Sequence, residues 1–152
     1  MSSAAEQAWE SLVHVYAQLE PRVAKEVRNA SGMSTAAFDV LRELVSLEPS
    51  PNMNELAARI VLSRSQVSRL VDELQAAGLV KREPKPGDKR SSFVSLTPEG
   101  RRAFNKAAPA YQATISREVE GTATTEQLRE VARILDAIWQ AAGPTANRKV
   151  HS

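Results

Sequence analysis

Arg64, Ser65, Ser68, Arg69 and Asp72 recur at spacings that gather them on one side of a helix, opposite Val67, Leu70, Val71 and Leu74. Guanidinium forks and hydroxyls on one helix face suit a partner that offers both anionic oxygens and hydrogen-bonding edges. The start of that helix strengthens the match. Ser63 with Gln66 three residues later forms an S-x-x-Q capping box, and a helix N-terminus adds free N–H groups and partial positive charge. Further along, Pro84–Lys85–Pro86–Gly87–Asp88–Lys89–Arg90 combines turn formers with basic groups.

Other chemistries lack their residues. The chain has no cysteine, which excludes disulfides, a thiolate nucleophile, Cys-ligated zinc and thiol-based redox sensing. His14 and His151 lie at opposite ends, and no nucleophile–base pair, metal-ligand cluster or phosphate-cradling glycine loop accompanies them. The reading is of a protein that is not an enzyme, with no catalytic residue, no metal and no cofactor.

Charge points the same way once it is resolved by position. The 152 residues carry a net +2, yet residues 59–106 hold 11 Lys/Arg against 5 Asp/Glu while the remainder is acidic. A basic stretch inside a near-neutral chain is what a phosphate-facing surface needs, because each phosphate contact releases counterions. Residues 1–10 have two acidic groups and no basic n-region, so they do not read as a signal peptide. No apolar run reaches the roughly 18 residues of a membrane span. The expectation is a cytoplasmic protein with no membrane partner.

The elements that must position these residues are legible in turn. Ala8, Leu12, Val15, Leu19, Val23 and Val27 predict a helix over 5–29; Trp9, Val13 and Tyr16 widen its stripe, which predicts burial on more than one side, and Pro21 predicts a kink. A second helix runs from Ser34, its cap, to about Leu47. Asn52 and Glu55 cap a short third helix ending near Val61, and Gly78 closes the fourth. The two- or three-residue gap between the third and fourth is helix-turn-helix spacing. Strands are expected at 79–83 and 91–96 around a proline- and glycine-rich turn, with Phe93, Val94 and Leu96 anchoring the hairpin on the helices. Thr97–Pro98–Glu99 opens a helix bent at Pro109 and stopped at Gly121. Thr124 and Gln127 cap a last helix with Leu128, Val131, Leu135, Ile138 and Trp139 on one face. The fold class is mainly α with a small β-hairpin (α+β).

With these elements in place, Ser65–Leu74, Ala77–Arg82, Gly87–Ser91 and Val94–Gly100 together resemble the recognition helix, wing strand, wing tip and wing exit of MarR-type regulators. The D-x-R turn closed by L-T-P-E-G is the specific part of the match. The resemblance implies a winged helix-turn-helix over 34–100, flanked by a dimerisation region from 5–29 with 101–143, in one intertwined domain. It implies sequence-specific binding of double-stranded DNA as a homodimer on a palindromic operator, usually as a repressor. Ser63, Arg64, Ser65, Gln66, Ser68 and Arg69 would then serve the major groove, with base and phosphate contacts undivided. Arg90 matches the arginine that enters the minor groove, Asp88 would orient it, and Lys85, Lys89 and Arg82 would supply backbone charge. Ser34 and Asn54 sit at helix starts that approach phosphates in this family, or act as caps.

The apolar terminal helices could pack within one chain or, as the resemblance implies, between two. Similar proteins also bind small aromatic or anionic effectors where these helices meet the DNA-reading part; Trp9, His14, Tyr16 and Asp39 are the candidate lining. Asp39 and Arg69 match residue types of a urate-responsive branch. The rival reading is a winged-helix module that binds protein, which would show far weaker salt dependence than DNA binding.

Overall fold

The structure is a computed structural model that describes residues 1–85 and 87–143; for Lys85 and residues 88–91 the description is of the backbone. Pro86 and the tail carrying His151 lie outside the described residues. Six helices and one hairpin follow in the order α1 (Ala4–Ser31), α2 (Thr35–Ser46), α3 (Met53–Arg59), α4 (Arg64–Ala76), β1 (Val80–Lys85), β2 (Asp88–Leu96), α5 (Pro98–Val119) and α6 (Thr125–Ala142). None of these helices is long and apolar enough to cross a membrane.

Side-chain caps set most of the boundaries. Ser34, Asn52, Ser63, Thr97 and Thr124 each accept a hydrogen bond from the backbone N–H three residues on, and at Asn52, Ser63 and Thr124 the reciprocal bond completes a capping box. Each satisfies donors that a helix start leaves orphaned.

The main core lies among α2, α3, α4 and the hairpin, where Leu41, Leu56, Val67, Val71 and Val94 are wholly buried. A second cluster joins α1 and α5 to it. Phe38 of α2 lies against the rings of Phe104 (5.4 Å between centroids) and Tyr111 (4.8 Å) of α5, beside Val27 of α1. Aromatic packing of this kind adds about 0.5–1.5 kcal/mol per pair beyond the area it buries.

The structure departs from the sequence-based expectations in three places. The strands run further than expected, to Lys85 and from Asp88, so the turn shrinks and a bulge falls between Pro84 and Lys85. A two-stranded ribbon tolerates Pro84 because its missing N–H can face an open edge. Gly87, at φ 83°, takes the left-handed conformation that this tight turn requires. Within β2, Val94 rather than Phe93 enters the core. Its N–H donates to Pro51 O at 2.9 Å, so a short third strand segment at Pro51–Asn52 sets which face points inward.

Both prolines lie inside continuous helices, Pro21 in α1 and Pro109 in α5. Finally, Trp9 and Tyr16 are not core residues of the single chain; they remain 65% and 68% exposed. No residue of α6 is buried, although Val131, Ile134, Leu135 and Ile138 form an apolar face.

Candidate nucleic-acid interface

The α4 N-terminus is built by its own cap. Ser63 Oγ accepts from Gln66 N–H (3.2 Å), Gln66 Oε1 accepts from Ser63 N–H (2.9 Å), and the Ser63 and Ser65 hydroxyls lie 3.1 Å apart. Ser63 and the Gln66 carbonyl oxygen are thereby committed to the helix start. Arg64, Ser65, Gln66 and Arg69 are exposed and Ser68 is half-buried, while Val67, Val71 and Leu74 fill the core behind them. No ion pair among the described residues engages Arg64 or Arg69. Two unpaired guanidiniums therefore flank a helix N-terminus that itself attracts anions.

The hairpin is fastened to that helix by Arg82. Its Nη2 lies 2.8 Å from Asp72 Oδ1 and donates to Ser68 O at 3.2 Å. The guanidinium expected to supply charge to a DNA backbone is thus turned onto α4, where it holds β1 against the helix. The backbone carries Asp88, Lys89 and Arg90 in β2 and Lys85 at the end of β1. The side chains of these four lie outside the description. Ser34 Oγ is occupied as the α2 cap, accepting from Ala37 N–H at 3.1 Å. Asn54 is exposed in the first turn of α3, one residue past Met53, and Asn52 is the cap there.

A second candidate site opens between α1, α2 and α5 as a cleft of about 330 Å³. Leu12, Val15, Leu19 and Val23 of α1 and Ile115 of α5 form its apolar walls. Of the four expected lining residues the structure brings Tyr16 and Asp39 here; Trp9 and His14 are not among the lining. It adds Glu20, Thr35, Arg42 and Tyr111. Arg42 lies three residues from Asp39, a helical spacing visible in sequence, and its Nη2 stands 3.2 Å from Asp39 Oδ1. Its Nη1 donates to Tyr111 OH at 3.0 Å, a contact across 69 residues of chain that leaves no local signal. Burial, opposed by Arg42 and reinforced by Glu43, holds the Asp39 carboxyl above its ordinary range.

The family model for the MarR family matches residues 31–91, from the end of α1 to the hairpin. The crystal structure of Sco3205, a MarR family transcriptional regulator from Streptomyces coelicolor in complex with DNA, is 28% identical. It superposes with a TM-score of 0.84 over 95% of this chain and 96% of that one. CouR from Rhodococcus jostii RHA1, bound to p-coumaroyl-CoA, is 27% identical with a TM-score of 0.79 over 91% and 96%. The helix-turn-helix regulator YkoM of Bacillus subtilis is 30% identical over 96 residues, 63% of this chain. The alignment spans 62% of that relative's length. Sco3205 and YkoM are regulators of transcription rather than enzymes, and Sco3205 is seen bound to DNA.

Proposed function

Because the MarR family model matches residues 31–91, we propose that this chain is a member of that family, a sequence-specific DNA-binding regulator that represses from a palindromic operator as a homodimer. The observation that carries this reading is the α4 face. Arg64, Ser65 and Arg69 stand exposed beside a capped helix N-terminus, with no ion pair among the described residues to neutralise the two arginines. On this reading α4 enters the major groove, Ser65, Ser68 and Arg69 meet base edges or phosphates, and the Arg90 side chain enters the minor groove with Asp88 as its partner. Lys85 and Lys89 add charge toward the backbone. Arg82 sets the angle of the hairpin to α4 rather than touching phosphate, and Asn54 is the freer of the two proposed helix-start contacts.

Selecting bound fragments from genomic DNA, then titrating salt against one selected site, tests the assignment. Affinity falling steeply as salt rises, with log K linear in log salt, is the expected result. Salt-insensitive binding would leave the protein-binding alternative in its place.

Residues 34–100 form the DNA-reading unit in this proposal, and 5–29 with 101–143 the dimerisation unit. The dimer rests on uncovered area. Trp9 and Val13 of α1 and the Val131–Ile138 face of α6 are apolar and exposed in the single chain, a combination that marks an interface. Because Ile138 is 59% exposed, Ile138→Glu should leave the protomer folded but shift sedimentation from dimer to monomer at micromolar concentration. A wild-type chain that sediments as a monomer would refute the arrangement.

The cleft between α1, α2 and α5 is where we place a small aromatic effector. It lies where the DNA-reading α2 meets the terminal helices, so a ligand with different affinities for two spacings of the α4 pair would change DNA affinity by the same coupling.

A further inference from the structure

The charges inside the cleft decide what kind of effector it accepts. Arg42 is the lining's one cation among the described residues, and it is already engaged: Nη2 on Asp39, Nη1 on Tyr111 OH, with its Cζ 5.4 Å from the Tyr111 ring centre. Glu20 has no cationic partner among the described residues; its Oε1 accepts from Thr35 Oγ1 at 3.3 Å. Thr35 lies one helical turn before Asp39, so α2 presents the Glu20 contact and the Asp39 carboxyl along the same wall. Two carboxylates against one internally paired guanidinium leave the cleft with an excess negative charge. A carboxylate ligand would have to displace Asp39 from Arg42 and then sit beside both acids.

We propose that the cleft takes an amphiphilic cation: one or two apolar rings carrying a protonated amine, with the ammonium between Glu20 and Asp39 and the rings against Leu12, Val15 and Ile115. This rests on the effector reading above and specifies the charge of the ligand. The volume suits such a molecule, since binding clefts begin at about 300 Å³. Tyr16, at the exposed rim, offers a π face to the cation. Asp39, whose partly buried carboxyl is held in the costly desolvated state despite Arg42, gains a second counter-charge.

Calorimetric titration with three probes sharing one ring system tests this: 2-naphthylmethylammonium, 2-naphthoate and the neutral 2-naphthylmethanol. The ammonium should bind about tenfold more tightly than the alcohol and the carboxylate least of all, tenfold being about 1.4 kcal/mol. Glu20→Gln and, separately, Asp39→Asn should each remove most of the ammonium's advantage without changing affinity for the alcohol. Naphthoate binding as tightly as the ammonium overturns the proposal, as does an ammonium preference that survives both variants. Failure of all three probes overturns it together with the ligand role of the cleft. A parallel gel-shift titration separates the two readings: ammonium binding that leaves the DNA complex intact supports the cation site and removes the effector role.

Discussion

Replacing Arg90 by alanine lowers affinity for the selected operator by well over tenfold, at least about 1.4 kcal/mol, and leaves thermal unfolding where it was. Arg90 lies in β2, two residues past Asp88 and beyond the Gly87 turn, at the end of the hairpin remote from the Val80–Leu96 pair that enters the core. Its removal is expected to change binding rather than folding. What it takes away is a guanidinium on the wing, and a narrow minor groove concentrates negative potential where such a group enters. Anisotropy titration of labelled operator, with a melting curve on the same sample, measures both quantities. Undiminished affinity would sink the wing assignment. Arg82→Ala provides the contrast. It breaks the Asp72 and Ser68 contacts that tie β1 to α4, so its loss of DNA affinity should come with a lower melting temperature.

The second large effect is structural. Gly100→Ala should cost about 3 kcal/mol or more of stability, the upper range for overpacking a close-packed site. Alanine ordinarily favours a helix over glycine by about 1 kcal/mol, so the sign is reversed here. Gly100 is buried in the first turn of α5, and a Cβ there would stand 1.9 Å from Leu79 O and 3.1 Å from Leu96 Cδ2. Leu79 O cannot simply retreat, because it accepts from Thr97 N–H at 3.1 Å, while Thr97 Oγ1 donates to Gly78 O at 2.6 Å. Those bonds join the end of α4, the base of the hairpin and the start of α5. Making room for a methyl group therefore loosens all three together. Urea unfolding of wild type and variant gives the difference directly, and a variant as stable as wild type would show that this junction yields more easily than the geometry allows.

Most of the chain's organisation is written locally. S-x-x-Q at Ser63, N-x-x-E at Asn52, T-x-x-Q at Thr124 and Thr97–Pro98 each start a helix through bonds that span three residues, so the motif and its partner are visible together. The three- and four-residue apolar rhythm of α4 separates Val67 and Val71 from Arg64 and Arg69 without reference to any tertiary contact. The family resemblance rested on these same residues and on the wing that follows them.

Where a side chain spends its charge, and what covers an apolar face, depends on groups that arrive from elsewhere. Arg82 reads as one more basic residue until α4 brings Asp72 and Ser68 against it. Phe93 and Val94 compete for the core on equal terms in sequence, and Pro51 settles the register by accepting the Val94 N–H. Arg42 and Tyr111 meet across 69 residues, and with Glu20 and Asp39 they turn an ordinary stretch of α2 into a charged cleft. Sequence alone determined the helices, the hairpin and the exposed arginines of α4, because hydrogen bonds within four residues and a simple periodicity suffice for those. Only the tertiary structure decided that Trp9, Tyr16 and the apolar face of α6 find no cover among the described residues, because burial belongs to the surfaces that meet rather than to the residues that seek it.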